Sequence, residues 1–350
     1  MTFSTSPSAS RSAASSTSWL VKPFAWLVVG LGFLLRFLLL AWATLALYWS
    51  QVPWSWLRLV LAIAFAAFGI YLLWWRRSVR SQLVFAALFL AVLASYLAIQ
   101  PSFDRPWQTN VAVLPEVIVD GDRVVFKNFR NFDYRTTDDF TVRYETREVL
   151  LSHLTSLDFF VSFWMPGPIA HTFVSFNFDN APPVCISIEA RRQKGQGFDP
   201  LSSLFKQFGL IYVVGDERDV VRLRTNVRHE DVYLYRIKTT PEKARGLFLI
   251  YLNRIDELAA RPEFYHLLSN SCTINIVRYA RLVGKIERID LGFLFNGYSD
   301  RALYRAGLLD STLPFPELRR RAWINKLAQA AGNAPDFSQQ IRASLPSEQR

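Results

Sequence analysis

Three long apolar runs fill the first hundred residues. Phe24 to Tyr48 is apolar except for Arg36, and at 1.5 Å per residue it is long enough to cross about 30 Å of hydrocarbon. Trp54 to Trp75 forms a second run and Leu83 to Ile99 a shorter third one. The pattern predicts three transmembrane helices after a disordered tail, residues 1–23.

The basic residues between the runs predict the orientation in the membrane. Arg76, Arg77 and Arg80 lie between the second and third runs, and loops rich in Arg and Lys stay on the cytoplasmic side. Everything after Gln100 is then outside. A cleaved signal peptide is a competing interpretation of the N-terminus, but the first apolar run is long for one and contains Arg36. An organelle transit peptide is another, although the Ser-rich tail has no clear basic amphipathic face.

Charge and cysteine content exclude several classes of protein. Residues 1–100 contain seven Lys or Arg and no Asp or Glu, so most of the net charge of +11 belongs to the membrane region. The basic pI therefore does not indicate nucleic-acid binding. With two cysteines, a disulfide framework is excluded as well.

After Gln100 the pattern changes to short alternating runs separated by turn residues, which is typical of an α+β domain. We assign residues 101–312 to this domain and residues 313–350 to a helical extension whose tail, from Gly332, frays. The predicted strands are Glu116–Asp120, Arg123–Phe129, Leu157–Trp164, His171–Phe178, Val184–Arg191, Leu210–Val214, Val220–Arg224 and Val232–Lys238. The predicted helices are Thr146–Ser156, Ser202–Gln207, Pro241–Ala260 and a run from Cys272 that ends at Gly284.

Cys272 is a candidate nucleophile because of its position in the last of these helices. Ser269, Asn270 and Ser271 are good N-cap residues, so the thiol lies in the first helical turn. Unpaired N–H groups and the helix dipole favour an anion there, which lowers a thiol pKa below its free value of about 8.5. The alternative is a buried cysteine that only packs.

His171 is the candidate base. It begins a strand directly after the Met165 to Pro168 loop, whereas His229 lies in a charged turn and His266 in a loop. Thiol hydrolases pair a thiolate on a helix with an imidazole that removes and later returns a proton.

Glu189 is the candidate third residue. If Phe176 pairs with Val184, Glu189 lies directly across the hairpin from His171, where its carboxylate could orient the ring. The alternative is a surface ion pair with Arg191 or Arg192. Cys185 is expected to be inert, and a disulfide between Cys185 and Cys272 is the competing possibility. The sequence contains no zinc-ligand spacing, Walker loop or Gly-x-Ser-x-Gly elbow, so we expect neither a metal nor a cofactor.

Several segments, in this order, resemble the N-terminal periplasmic domain of lipoprotein N-acyltransferase-like (Lnb-like) proteins. They are Asn128–Phe132, Trp164–Phe178, Ser187–Arg191, Asp231–Tyr235, Pro262–Tyr265, Asn270–Thr273 and Gly297–Asp300. The resemblance implies a circularly permuted papain-like fold with an antiparallel sheet, with His171 as base and Cys272 as nucleophile. It also implies a bacterial inner-membrane protein with its C-terminal domain in the periplasm. The implied activity moves an acyl chain from a diacylglyceryl lipoprotein to an amine through a Cys thioester.

Three functions therefore remain open. The first is acyl transfer from a membrane lipid or lipoprotein, and the second is a cysteine peptidase or amidase that acts on protein or peptidoglycan. The third is a membrane-anchored binding module without catalysis. A pocket with apolar walls of acyl length favours the first, an open polar groove the second, and a large separation of Cys272 from His171 the third.

Overall fold

The computed structural model describes residues 18–284, 291–293 and 295–345. The chain divides into two compact units, Met1–Ile99 and Gln100–Arg350. Most of the predicted disordered tail, residues 1–17, lies outside the described residues. Residues 18–23, which the prediction also assigned to the tail, are instead the start of a helix.

The first unit consists of three long apolar helices, as the sequence predicts. They are α1 (Ser18–Tyr48), α2 (Ser55–Ile70, continued by a π-helical turn over Tyr71–Arg76) and α3 (Val79–Ala98). Each contains a segment long and apolar enough to cross a membrane. The third helix begins earlier than the predicted Leu83 because Ser78 caps it, accepting a hydrogen bond of 3.1 Å from the N–H of Ser81.

The second unit is built on an eight-stranded sheet in the order β1-β2-β9-β8-β7-β6-β10, with β5 paired to β2. The pairs are antiparallel except for the β2–β9 contact at Arg130 and Gly215. The strands are β1 (Glu116–Asp120), β2 (Arg123–Arg130), β5 (Tyr144–Leu150), β6 (Leu154–Phe163), β7 (His171–Phe178), β8 (Val184–Arg191), β9 (Gly209–Gly215) and β10 (Asp231–Arg236). A separate two-stranded sheet pairs β3 (Asp133–Tyr134) with β4 (Phe140–Thr141).

Helices cover both faces of the large sheet, and each face has its own apolar core. The first core includes Val174 and Ile186 and packs against α5 (Pro241–Ala260), α6 (Cys272–Leu282), α7 (Ser299–Arg305) and α8 (Phe315–Ala322). The second includes Phe173 and packs against α4 (Glu217–Arg222), α9 (Asn325–Ala331) and the segment around α10 (Phe337–Gln340). Neighbouring residues of β7 thus point into different cores, as strand geometry requires.

Two predicted elements are wrong. The predicted helix Thr146–Ser156 is instead β5, a short 3₁₀ turn at Leu151–His153 and the start of β6. Pairing with β2, in which Val149 lies opposite Val124, overrides the helical spacing of its apolar residues. The predicted strand Val220–Arg224 lies in α4 and the π-helical turn that follows it. Asp216 caps α4 by accepting a hydrogen bond of 3.0 Å from the N–H of Arg218.

The C-terminal segment is helical, as expected, but residues 332–345 do not fray. Phe337 and Ile341 are fully buried in the second core. Arg342 donates hydrogen bonds of 2.6 and 2.7 Å to Glu217 and one of 2.9 Å to Asp158. The prediction failed because the polar composition of this segment hides a short apolar face and a buried ion pair.

Candidate active site

Cys272 is the first residue of α6, and two polar contacts fix the start of that helix. The Asn270 side chain donates hydrogen bonds of 3.0 Å to Glu263 and to the Phe264 carbonyl, and it accepts one of 2.9 Å from Asn275 within the helix. Thr273 Oγ1 lies 2.8 Å from Thr172 Oγ1 and so attaches the helix to β7. The thiol is 1% exposed.

His171 begins β7, next to the residue that docks α6. Its ring stacks on Phe173 with centroids 5.8 Å apart, and its Nε2 lies 2.7 Å from Ser187 Oγ. Because Nε2 is engaged with Ser187, Nδ1 is the ring nitrogen left for the thiol. The structure thus brings together the thiol and the imidazole that the sequence selects from four histidines.

The electrostatics of the pair favour a thiolate. Burial alone would raise the pKa of the Cys272 thiol, but the charge of His171 and a hydrogen bond with it act in the opposite direction. The backbone and hydroxyl of Thr172 add further hydrogen bonds, and together these contacts lower the pKa to about 6. A lowered pKa increases the thiolate fraction near neutral pH, and the thiolate is the nucleophilic form of a cysteine.

Glu189 reaches His171 through Ser187 and not directly. The strands have the predicted register, with Val174 opposite Ile186, but the pairing ends there. Ser187 Oγ donates a hydrogen bond of 2.9 Å to Glu189 Oε1, and that oxygen also accepts one of 2.8 Å from Arg224.

The ion-pair partner of Glu189 is neither of the two arginines weighed from the sequence. Arg191 donates to backbone carbonyls and stacks on Trp107. Burial would raise the pKa of the Glu189 carboxyl, but the charges of Arg224 and His171 lower it well below its usual range. The carboxylate is therefore fixed as an anion behind Ser187.

Sequence reasoning missed two groups at the sulfur. Asn296, 6% exposed, donates a hydrogen bond of 3.4 Å from Nδ2 to Cys272 Sγ. Burial and the charge of the nearby Cys272 raise the pKa of the Tyr265 hydroxyl well above its usual value. Neither residue lies in a long helix or strand whose periodicity would mark it. Their only signal in the sequence is the family resemblance, because Tyr265 ends one of the resembling segments and Asn296 directly precedes another.

The position of Asn296 depends on a close backbone contact. The N–H of Gly297 donates a hydrogen bond of 2.9 Å to the carbonyl of Pro168, and a Cβ at Gly297 would clash with Gly167 and Pro168. The Ser299 hydroxyl donates one of 2.6 Å to the Asn296 carbonyl. The loop that precedes His171 thus also supports the amide beside the thiol.

A solvent-open cleft of about 330 Å³ adjoins the site. His171, Glu189, Tyr265 and Asn296 line it, together with apolar side chains and three arginines that are described below. A second cavity, behind α6, has almost wholly apolar walls but measures only about 50 Å³. An engineered cavity that binds benzene is about 150 Å³, so the cavity behind α6 is too small for an acyl chain.

Cys185 is free and lies in the second core, on the other face of the sheet from Cys272. The proposed disulfide is therefore not formed. Burial and the charge of Glu217 raise the pKa of the Cys185 thiol well above its usual range. A thiol with a raised pKa forms little thiolate, so we still expect Cys185 to be inert.

One family model matches the chain. It is described as the Lnb N-terminal periplasmic domain and matches residues 140–296, somewhat less than half of the chain. The matched range contains His171, Glu189, Cys272 and Asn296, and it supports the resemblance to Lnb-like proteins. No curated protein and no solved structure shows a significant match. A periplasmic domain family and three apolar helices fit an inner-membrane protein whose C-terminal domain is periplasmic.

Proposed function

We propose that this protein is a membrane-anchored periplasmic thiol acyltransferase. Cys272 is its nucleophile and His171 its acid and base, while Glu189 acts as a positioning residue through Ser187. The observation that carries the proposal is the pairing of a thiol at a helix start with His171, which holds the thiol pKa at about 6. The matched family is described as a periplasmic domain, and the three apolar helices precede the matched residues in the chain.

In the first step, the Cys272 thiolate attacks the carbonyl carbon of an acyl ester. The carbon–sulfur bond forms while the carbonyl oxygen takes up negative charge. Asn296 Nδ2, which lies 3.4 Å from Cys272 Sγ, and the N–H groups at the start of α6 are the donors proposed to stabilise that oxygen. The carbon–oxygen bond then breaks, His171 gives its proton to the leaving alkoxide, and an acyl thioester remains on Cys272.

In the second step, an amine attacks the thioester. His171 takes the amine proton, the carbon–nitrogen bond forms and the thiolate leaves, so the enzyme returns to its starting state. Water in place of the amine gives hydrolysis by the same steps, and the acceptor therefore decides between transfer and hydrolysis.

Ser187 and Glu189 keep the imidazole in the productive tautomer. With the Ser187 hydroxyl donating to Glu189, its oxygen accepts the Nε2 proton of His171. Nδ1 then carries the proton that passes to the leaving alkoxide, and it afterwards takes a proton from the attacking amine or water. The anionic Glu189 also stabilises the imidazolium that forms in each step.

The membrane anchor suits a substrate that is itself held in the bilayer. Tethering converts the encounter of enzyme and lipid-linked ester into one at high effective concentration. A soluble enzyme would have to find each ester from solution.

The test is the intact mass of the purified full-length protein after incubation with bacterial membranes. We expect an adduct of fatty-acyl mass that hydroxylamine removes and that the Cys272→Ser variant lacks. Cys185→Ser is the matched control and should still form it. Incubation that never yields a Cys272 adduct would refute acyl transfer through a thioester.

A peptidase or amidase is the second candidate, and the open, partly polar cleft beside the dyad is the feature that favours it. Acyl transfer is placed first because the matched periplasmic domain family and the apolar helices favour a lipid-linked substrate. The same experiment separates the two functions. An adduct of peptide mass on Cys272, formed with protein or peptidoglycan fragments, would favour the amidase.

A further inference from the structure

The cleft beside the dyad contains arginines that the proposed mechanism does not use. Arg192, Arg224 and Arg228 line it. Arg224 is engaged, because it donates to Glu189 at 2.8 Å and to the carbonyl of Val220 at 2.6 Å. Arg192 and Arg228 remain to be explained.

These two arginines are poorly neutralised within the protein. Across the described parts of the chain, the Arg192 guanidinium has no hydrogen-bond or ion-pair partner. Arg228 is 3.6 Å from Glu230 at its closest, and that carboxylate also accepts a hydrogen bond of 2.5 Å from Ser162. Burial and the charge of Arg224 lower the pKa of Arg228, and Arg192 contributes to the same effect. Two such cations in one partly buried cleft repel each other unless an anion joins them.

The same cleft also has an apolar part to its lining. Trp164, Ile169, Phe198 and Leu267 line it, and the Trp164 ring meets Phe198 edge to face at 6.4 Å. Large exposed apolar side chains lie next to these residues in the chain or beside Asn296, namely Met165, Leu268, Phe295 and Tyr298. A ligand that matches both features has one anionic group and a hydrocarbon chain.

We propose that Arg192 and Arg228 bind the phosphate of a glycerophospholipid that serves as the acyl donor, with its acyl chains along the apolar side chains of the cleft. This inference rests on the proposed function and names its substrate class, a phosphate-bearing donor in place of the diacylglyceryl lipoprotein that the family resemblance implies. A phosphodiester presents two unbridged oxygens to a pair of guanidinium groups and stays ionised at every physiological pH. Its single negative charge balances the excess of the two arginines over Glu230. In a glycerophospholipid the phosphate is only a few bonds from the acyl ester, so one cleft can hold both at His171.

Binding can be measured without turnover in the full-length Cys272→Ser protein in detergent micelles. The probes are dihexanoylphosphatidylglycerol, dihexanoylglycerol, which lacks the phosphate, and inorganic phosphate, with native mass spectrometry as the readout. We expect the phospholipid to bind about tenfold or more tightly than either other probe. Arg192→Gln and Arg228→Gln should each remove most of that preference and leave dihexanoylglycerol binding unchanged.

Lys194→Gln is the matched control, because Lys194 is an exposed cation two residues from Arg192 that does not line the cleft. It should bind like the parent protein, and Arg192→Lys should retain part of the preference. Equal binding of dihexanoylglycerol, or phospholipid binding that ignores both Gln variants, would overturn the proposal. Inorganic phosphate binding as tightly as the phospholipid would overturn the lipid donor in favour of a free phosphate ligand. Tighter, arginine-dependent binding of an acidic peptide would overturn it as well.

The subsite and the proposed chemistry fail separately. Arginine-dependent phospholipid binding without any acylation of wild-type Cys272 would leave the subsite standing and refute the thioester. If the phospholipid and dihexanoylglycerol acylated Cys272 at equal rates, in the parent and in both Gln variants, the thioester chemistry would stand. The phosphate subsite would then be refuted.

Discussion

The two faces of the sheet each bury one free cysteine, and the two thiols have opposite properties. Cys272 is 1% exposed and Cys185 is 0% exposed. The pKa of Cys272 falls to about 6, whereas that of Cys185 rises well above its usual range. Burial acts on both thiols in the same upward direction, so burial does not explain the difference.

The groups next to each thiol explain the difference in pKa between Cys272 and Cys185. The Cys272 thiol lies beside His171 and the Asn296 amide, and Cys272 is the first residue of α6. The imidazole, the amide N–H and the position at a helix start all stabilise a thiolate. Cys185 faces aromatic side chains and lies near the anionic Glu217, which disfavours one. The difference in pKa between the two thiols is therefore set by a few polar groups beside each of them.

Removing the reactive pair should have the largest effect. Cys272→Ser and His171→Ala should each lower turnover of acyl esters by on the order of 10⁴-fold, because nucleophile and base act as one unit. Release of the lyso product from lipid vesicles measures this, with thermal unfolding to verify the fold. The double variant should be no worse than either single one. Cys185→Ser should keep wild-type turnover, and an equal loss there would end the contrast between the two thiols.

Asn296→Ala should have the next largest effect. Loss of one oxyanion donor typically costs about 10²- to 10³-fold in kcat, with KM little changed. Asn253→Ala is the matched control, since that amide lies exposed on α5 and donates a hydrogen bond to Glu257 on the same helix. A variant with normal kcat would show that the Asn296 amide supports the resting thiol and not the reacting oxygen.

Ser187→Ala and Glu189→Gln test the link behind the imidazole. Each should lower kcat by on the order of 10²-fold, and the double variant should resemble the singles, because the two residues act in series on His171. Glu189→Gln also leaves Arg224 without its carboxylate, so unfolding is measured in parallel. Wild-type turnover in both variants would remove the pair from the mechanism.

The smallest expected effect is on thiol reactivity. Alkylation of Cys272 should rise with pH around a midpoint near 6, because the thiolate forms as pH increases through that pKa. His171→Ala removes the groups that lower the pKa, so the midpoint should move up toward or beyond about 8.5. At pH 7 the alkylation rate should then fall by roughly 30-fold. Mass spectrometry after iodoacetamide pulses gives the profile, and native Cys185 should stay unmodified throughout.

Local signals in the sequence are sufficient for much of the fold. Pro241 and the residues around it give the bounds of α5, and the turn from Asp179 to Pro183 gives the hairpin of β7 and β8. Prediction failed at Thr146–Ser156 and Val220–Arg224, where short mixed segments suit either state and the contacts with β2 or the cap at Asp216 decide.

The candidate site was likewise predicted in part, where local sequence signals exist, and missed where only tertiary contacts define it. Cys272 and His171 could be predicted from the sequence because each is an uncommon residue at the start of a regular element. Asn296 and Tyr265 reach the thiol only through tertiary contacts of loops, and no spacing in the sequence encodes those. The role of Ser187 follows from where the pairing of β7 and β8 ends, which the alternation of residues does not show.

Arg342 has a consequence for the order in which this protein is made. It neutralises Glu217 and shares Asp158 with Arg236, and both carboxylates are fully buried. Breaking a buried ion pair of this kind costs about 3–5 kcal/mol, a large share of the stability of a domain. While the chain emerges on the far side of the membrane, the sheet and the dyad are complete well before Arg342 arrives. The domain therefore reaches its stable form only once Arg342 has crossed the membrane, and a chain stopped before Arg342 should be cleared by proteases.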